Sequence, residues 1–274
     1  MNINLAINTD LARKILTGFV KSEITRAGFS RAVIGLSGGI DSALSCALAV
    51  EALGPQNVLA VRMPYRTSSP DSLEDAEKTA RCLNVQMETF EITPMVEPLI
   101  AAEPQMSNLR KGNLMARSRM IVLYDRSEVF KGLVVGTSNK TEILLGYTTL
   151  WGDMASALNP IGDLYKTQLR QLARAMQLPQ SVIDKPPSAD LWVGQTDEAE
   201  MGLTYEEVDR LLYLLVDQRC NVQDCVEAGF DQAFVEQVIG RVRRSQFKRM
   251  MPPIAKLSAR TVGYDFLYLR DWGT

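Results

Sequence analysis

The residues best suited to chemistry fall together as Gly35, Leu36, Ser37, Gly38, Gly39, Ile40, Asp41 and Ser42. Apolar residues precede them and an apolar-faced helical pattern follows, so the segment reads as a turn between a strand and a helix. Gly38 and Gly39 permit backbone conformations that aim successive amides at one point, where a helix N-terminus adds partial positive charge. Such a turn cradles phosphate. It is not a Walker A loop, because no Gly-Lys-Ser/Thr follows the glycines, and it lacks the Gly-x-Gly-x-x-Gly of dinucleotide folds. Asp41 sits where a Walker loop carries lysine. A carboxylate beside a polyphosphate requires a divalent cation between them, which points to magnesium. The plainer alternative is that Asp41 complements the helix dipole and Ser37 caps the helix, in which case replacing Asp41 alters folding by only ~0.3 to 1 kcal/mol.

Composition narrows the chemistry. With 274 residues, 46% hydrophobic and 23% charged, the chain can bury a substantial core in one or two domains and shows no disorder signature. A formal net charge of -2 disfavours a nucleic-acid partner. The basic cluster Arg241, Arg243, Arg244, Lys248 and Arg249 reads mostly as a solvated helix end, with contact to an anion as the alternative. There is no histidine, which excludes Ser-His-Asp and Cys-His nucleophile systems. Cys46, Cys82, Cys220 and Cys225 lack zinc-site spacing, and Cys46 and Cys82 lie in helical patterns that place them in the core. No apolar run reaches membrane length and no leader pattern opens the chain, so no membrane partner and a reducing cytoplasm are expected.

A scaffold must hold these groups, and the apolar periodicity outlines it. A helix is expected over 9 to 27 with Leu11, Ile15, Phe19 and Ile24 on one face. Strands at 32 to 36, 58 to 62 and 87 to 92 alternate with helices at 41 to 53 and 70 to 83, which predicts a parallel sheet with right-handed crossovers. After an interruption from Pro94 to Pro104 come a helix at about 107 to 130, a strand at 133 to 135 and a helix from Ser138. The class is α/β, a doubly wound parallel sheet whose ligand crevice lies where strand order reverses. Loops 37 to 42 and 136 to 142 then face each other. From 163 onward the pattern is mainly helical, including 204 to 215 and 231 to 245, with loops at 185 to 188 and 194 to 198. The expected organisation is one domain over 1 to 274, with a core over 28 to 190 and a helical C-terminal part over 191 to 274.

The run from Ser37 to Ser42 resembles the pyrophosphate loop of N-type ATP pyrophosphatases. Five further segments, at 112 to 117, 136 to 142, 152 to 153, 162 to 167 and 185 to 191, resemble NAD synthetase and occur in the same order. The resemblance covers about residues 10 to 252. It implies an adenine nucleotide alpha-hydrolase-like, Rossmann-like fold and a ligase that uses ATP and magnesium. The nicotinate carboxylate of deamido-NAD would attack the ATP α-phosphate, and ammonia would then displace AMP to give NAD.

By the same resemblance the loop from Gly35 to Ser42 holds pyrophosphate, and Asp41 and Glu142 bind magnesium. Asp41 and Lys166 act in catalysis, Thr137, Lys166 and Ser188 contact ATP, and Asn113, Arg117, Glu142 and Lys248 serve deamido-NAD. Taken singly, Glu142 reads as a solvated helix residue, Thr137 as a helix cap, Lys166 as a surface cation and Ser188 as a turn residue. Arg62, after the second strand, sits at the rim where an adenine nucleotide would lie or is a solvated edge residue. Asn113 and Arg117, four apart, share a helix face. The resemblance further implies a homodimer. Without an amidase domain, ammonia would arrive free or from a separate glutaminase.

Two positions depart from many stand-alone members, which have a lysine and an aspartate where this chain has Leu150 and Ala157. The segment from Thr148 to Ala155 resembles glutamine-dependent members instead. These departures keep two rivals open: a pyrophosphatase acting on another acceptor, and a non-catalytic adenine-nucleotide-binding regulator. Neutral charge disfavours a tRNA acceptor.

Overall fold

Four short strands form the centre of the computed structural model, which describes residues 3–188 and 196–266. They are β1 (Ala32–Gly35), β2 (Val58–Arg62), β3 (Gln86–Thr89) and β4 (Leu133–Val135), all parallel in the order β3-β2-β1-β4. β1 and β2 are near-continuous apolar runs because both faces of the sheet are covered. Ala32, Ile34, Val58 and Ala60 face α1 (Thr9–Arg26), α2 (Ile40–Leu53) and α3 (Pro70–Cys82). Val33, Leu59 and Val61 face the opposite layer, α4 (Thr93–Ala102) and α5 (Asn108–Phe130). The doubly wound parallel α/β architecture is thus borne out. Strand order reverses between β1 and β4, which sets the crevice beside their carboxyl ends. Past β4 a bridge from Val135 to Leu158 extends the sheet, with Gly136 N donating to Leu158 O at 2.8 Å.

Several local expectations are corrected. The interruption from Pro94 to Pro104 is largely α4, because Pro94 falls in the first turn, where no intrahelical N–H is needed, and Val96 is buried against the sheet. On α1 the buried stripe is Val20 and Ile24 with Leu16, whereas Leu11, Ile15 and Phe19 are exposed by 54%, 58% and 38%. Ile24 packs as expected, but before it the packed stripe runs one residue later, through Leu16 and Val20, toward α2 and the later helix Lys166–Ala175. Cys46 is in the core, but Cys82 is exposed at the last turn of α3, at the edge of the stripe carrying Ala76 and Thr79. β3 stops at Thr89 rather than 92.

The helix expected from Ser138 is α6 (Lys140–Leu145), which starts two residues later because Asn139 caps it. α7 (Lys166–Ala175) and α8 (Gln180–Asp184) pack on the outer side of α2. Part of the polar stretch read as a loop is α9 (Asp197–Met201), capped by Thr196. The helix expected over 204 to 215 is α10 (Tyr205–Leu212), followed by a wider π turn over Tyr213–Asp217. α11 (Val222–Glu227) and α12 (Gln232–Arg244) join α10 in a separate apolar cluster with Leu145 of α6. A short 3-10 turn, Gln246–Arg249, ends the helical pattern, and residues 250 to 266 contain no helix.

Candidate active site

The phosphate-loop geometry begins at Gly38. Its φ is +83°, and a Cβ there would lie 2.1 Å from the Ser72 carbonyl oxygen, so both backbone angle and close approach require glycine. Serine hydroxyls brace the turn: Gly39 N donates to Ser37 Oγ at 3.2 Å, Ser37 N donates to Ser42 Oγ at 3.2 Å, and the two hydroxyls lie 3.1 Å apart. Gly39, not Ser37, is the N-cap of α2. The first bond entering this helix is Ala43 N to Gly39 O at 3.1 Å, which leaves the N–H groups of Ile40, Asp41 and Ser42 without a preceding carbonyl turn. That end can receive an anion.

Three elements then converge. Asp41 comes from α2, Glu142 from the first turn of α6 and Lys166 from the first residue of α7. Lys166 Nζ donates to Asp41 Oδ2 at 2.5 Å and Glu142 Oε1 at 3.2 Å, while Asn139 Nδ2 donates to Asp41 Oδ1 at 2.8 Å. Asn139 and Glu142 also form a capping box, with Glu142 N donating to Asn139 Oδ1 at 3.0 Å. Loops 37 to 42 and 136 to 142 therefore meet as expected from topology. Lys166 is 2% exposed, not a surface cation. Burial pulls its ammonium down, but the charges of Asp41 and Glu142 more than offset this and hold it above the ordinary lysine value. Burial pushes the Glu142 carboxyl above the ordinary carboxylate value, with Lys166 opposing and Asp41 reinforcing the shift.

A cleft of about 670 Å³ opens over this cluster. Of the expected site residues, all line it except Gly38, which turns toward Ser72, and Arg117, which is exposed. Arg62 sits at the rim with Nη1 donating to Leu73 O at 3.0 Å and Nε to Thr89 Oγ1 at 3.2 Å. Thr137 and Ser188 line the cleft, while positions 189 to 191 of the same motif lie outside the described residues. Asn113 accepts a hydrogen bond from Thr149 Oγ1 at 2.8 Å. Arg117, one turn along α5, donates to Leu150 O at 3.3 Å.

The basic cluster is more inward than expected. Lys248 Nζ donates to Gly146 O at 2.9 Å and Thr148 O at 2.6 Å, and Arg249 donates to the carbonyls of Ile143 and Leu144 at 3.0 Å. Arg241 reaches Met201 O at 2.7 Å. The reason is a demand for donors: carbonyls at and just past helix ends are short of backbone N–H partners, Ile143 O receiving only a long 3.4 Å bond from Gly146 N, and helix C-termini favour cations.

Sequence reasoning gave no role to three residues at or beneath the cleft, although Asn139 and Lys185 fall inside the motif segments 136 to 142 and 185 to 191. Asn139 carried a usable signal, since Asn-x-x-Glu is a capping-box spacing. Lys185 donates to Ser72 Oγ at 3.0 Å and Asp75 Oδ2 at 3.1 Å, linking its loop to α3. Tyr147 donates to Asp197 Oδ1 at 3.2 Å and Glu200 Oε2 at 2.8 Å. Lys185 and Tyr147 line the cleft, and Asn139 is buried beneath it against Asp41.

The chain is 58% identical over 269 residues to the NH(3)-dependent NAD(+) synthetase of Trichlorobacter lovleyi, covering 98% of each chain. Among solved structures it superposes on the NMN synthetase of Francisella tularensis with a TM-score of 0.81 at 31% identity, covering 92% of this chain and 100% of that one. The NH3-dependent NAD synthetase of Campylobacter jejuni gives a TM-score of 0.78 at 32% identity with the same coverage. The model of the NAD synthase family matches residues 12–252, and the chain belongs to that family.

Proposed function

We propose that this enzyme uses ATP to adenylate the carboxylate of deamido-NAD, releasing pyrophosphate, and then amidates it with ammonia to give NAD and AMP. The observation that carries the reading is the meeting of Asp41, Glu142 and Lys166 beside the open N-terminus of α2, at the switch point of the sheet. Adenylyl transfer needs charge neutralisation and in-line placement more than a protein nucleophile, so a histidine-free site suffices.

The donor set suits magnesium. Asp41 and Glu142 present two hard carboxylates already gathered around one cation, the Lys166 ammonium. One or two carboxylates with substrate phosphates are the usual magnesium arrangement. These two residues would hold the ion, which when bound offsets charge developing on the departing pyrophosphate. The first N–H groups of α2 orient the phosphates, and Gly38 lets the chain turn tightly enough to present them. Lys166 remains protonated at Nζ and supplies a fixed positive charge in a site where burial strengthens electrostatics. Asn139 fixes the rotamer of Asp41. Asn113, at the far side of the cleft, and Lys248, on the Gly146 and Thr148 carbonyls, serve the acceptor side.

The finer assembly belongs to this reading. A homodimer is supported by Ile121 and Tyr124, 55% and 43% exposed, which continue the face of α5 that carries Asn113 and Arg117. A reducing cytoplasm agrees with four free cysteines and with the absence, among the described residues, of a helix long and apolar enough to cross a membrane. We read residues 1 to 274 as one synthetase domain, with ammonia taken free or from a separate glutaminase.

The test is incubation with ATP, magnesium, ammonium and deamido-NAD, following AMP, pyrophosphate and NAD together. Equal formation of all three is expected. A parallel arm replaces deamido-NAD with the corresponding mononucleotide, because one structural relative is an NMN synthetase. Faster turnover there reassigns the acceptor, and pyrophosphate release with neither acceptor sinks the ligase reading.

A further inference from the structure

Asp209 lies on α10, outside the cleft and fully buried, yet both carboxylate oxygens are used at the starts of two other helices. Oδ1 accepts from Thr141 Oγ1 at 2.5 Å and Oδ2 accepts from Thr167 N at 2.8 Å. Thr141 Oγ1 also accepts from Lys166 N at 3.0 Å, closing a link from α6 through Asp209 to α7. Each threonine adjoins a cleft residue in sequence: Thr141 precedes Glu142, and Thr167 follows Lys166. The separation those side chains keep, 3.2 Å from Lys166 Nζ to Glu142 Oε1, spans the same two helix starts.

We propose that Asp209 is a positioning residue that sets the register of Glu142 against Lys166, acting from the C-terminal helices on the phosphate end of the site. A carboxylate sealed from water is costly even when hydrogen-bonded, and an apolar side chain would fill the same space without that cost. What an apolar residue cannot do is hold a hydroxyl and a helix-start amide at fixed distances. α6 is only six residues long, so its own hydrogen bonds hold Glu142 weakly. Asp209 supplies the outside anchor. This inference rests on the proposed roles of Asp41, Glu142 and Lys166.

The experiment compares full-length Asp209→Asn, Thr141→Val and Asp41→Asn with the parent chain. Its readouts are thermal unfolding, kcat, KM for deamido-NAD and the magnesium concentration giving half-maximal rate. Displacement of reacting groups by about 1 Å can cost ~100-fold in rate. For Asp209→Asn and Thr141→Val, kcat is therefore expected to fall by about 10 to 100-fold, with the magnesium midpoint raised several-fold and KM for deamido-NAD within about twofold. A simple loss of folded protein would lower apparent kcat only in proportion to the folded fraction, and that result overturns the proposal. So does a parental kcat in folded Asp209→Asn. If Asp209→Asn fails to fold, Thr141→Val decides alone, since it keeps the carboxylate and removes only the linking hydroxyl; a parental kcat there overturns the proposal. Parental activity in Asp41→Asn shows instead that the reading of the site has failed.

Discussion

Asp41 uses both carboxylate oxygens inside the protein, one on Asn139 and one on Lys166. Its replacement therefore costs more than a helix-dipole contact. Asp41→Asn is expected to lower stability by about 1.5 to 3 kcal/mol, the scale of a hydrogen bond to a charged group, rather than the ~0.3 to 1 kcal/mol of a first-turn acid. Turnover should fall by about 100-fold or more, since on the proposed reading the variant also loses a magnesium carboxylate. Urea unfolding and initial rates measured on the same preparation check both halves. Asp41 was legible in sequence because its signal is local: two glycines, an acid and a helix pattern within a few positions. Its partnership with Lys166 was not, because that contact joins residues 125 apart and neither end reveals the other's distance. Ordered motifs nevertheless brought both residues into one expected site.

The elements around the phosphate loop are tied together as tightly as the residues within it. Gly38 packs on the Ser72 backbone at the start of α3, whose Ser72 and Asp75 side chains hold Lys185 of the loop after α8. Gly38→Ala should therefore destabilise by more than the ~1 to 2 kcal/mol of a left-handed backbone and weaken ATP binding by displacing this junction. Calorimetric ATP binding near the parental affinity would remove that claim. Asp75 gives a pH test. Burial raises its carboxyl, but hydrogen bonds from Ser181 and Lys185 and the Lys185 charge prevail and hold it below the ordinary carboxylate value. A depressed folded value stabilises the fold above the unfolded value and is lost as pH falls through the folded one. The stability gap between the parent and Asp75→Asn should stay constant from about pH 8 to 5 and shrink below about pH 4. A gap that widens on acidification contradicts the sign. Sequence periodicity located most of these helices, but not which stripe packs. On α1, Leu11, Ile15 and Phe19 are as apolar as Leu16 and Val20, and only the neighbouring α2 and α7 decide between them.

At the scale of the molecule, the parallel sheet was legible because short apolar strands alternate with helices, and topology then fixes where the crevice opens. The inward turn of Arg241, Lys248 and Arg249 was not legible, because it answers carbonyls of α6, of the turn after it and of Met201 that are remote in sequence. The same limit applies to surfaces, where sequence cannot distinguish an exposed apolar residue from a core one. Ile121 and Tyr124 stand exposed on the outer face of α5, in line with Arg117 and then Asn113 at the cleft. A second copy seated on Ile121 would reach the side of the cleft that the proposed function gives to the acceptor. Ile121→Glu adds a charge at a site that is already solvated in one chain, so the stability of the isolated fold should change by no more than about 0.5 kcal/mol. In a dimer the same charge would be buried without a partner, and the penalty should shift sedimentation from dimer to monomer. With the second copy gone, KM for deamido-NAD should rise several-fold while KM for ATP, which the proposed function places at the switch point within one chain, stays near its parental value. A parent chain that sediments as a monomer at assay concentration, or a variant that remains dimeric, excludes this face as the interface.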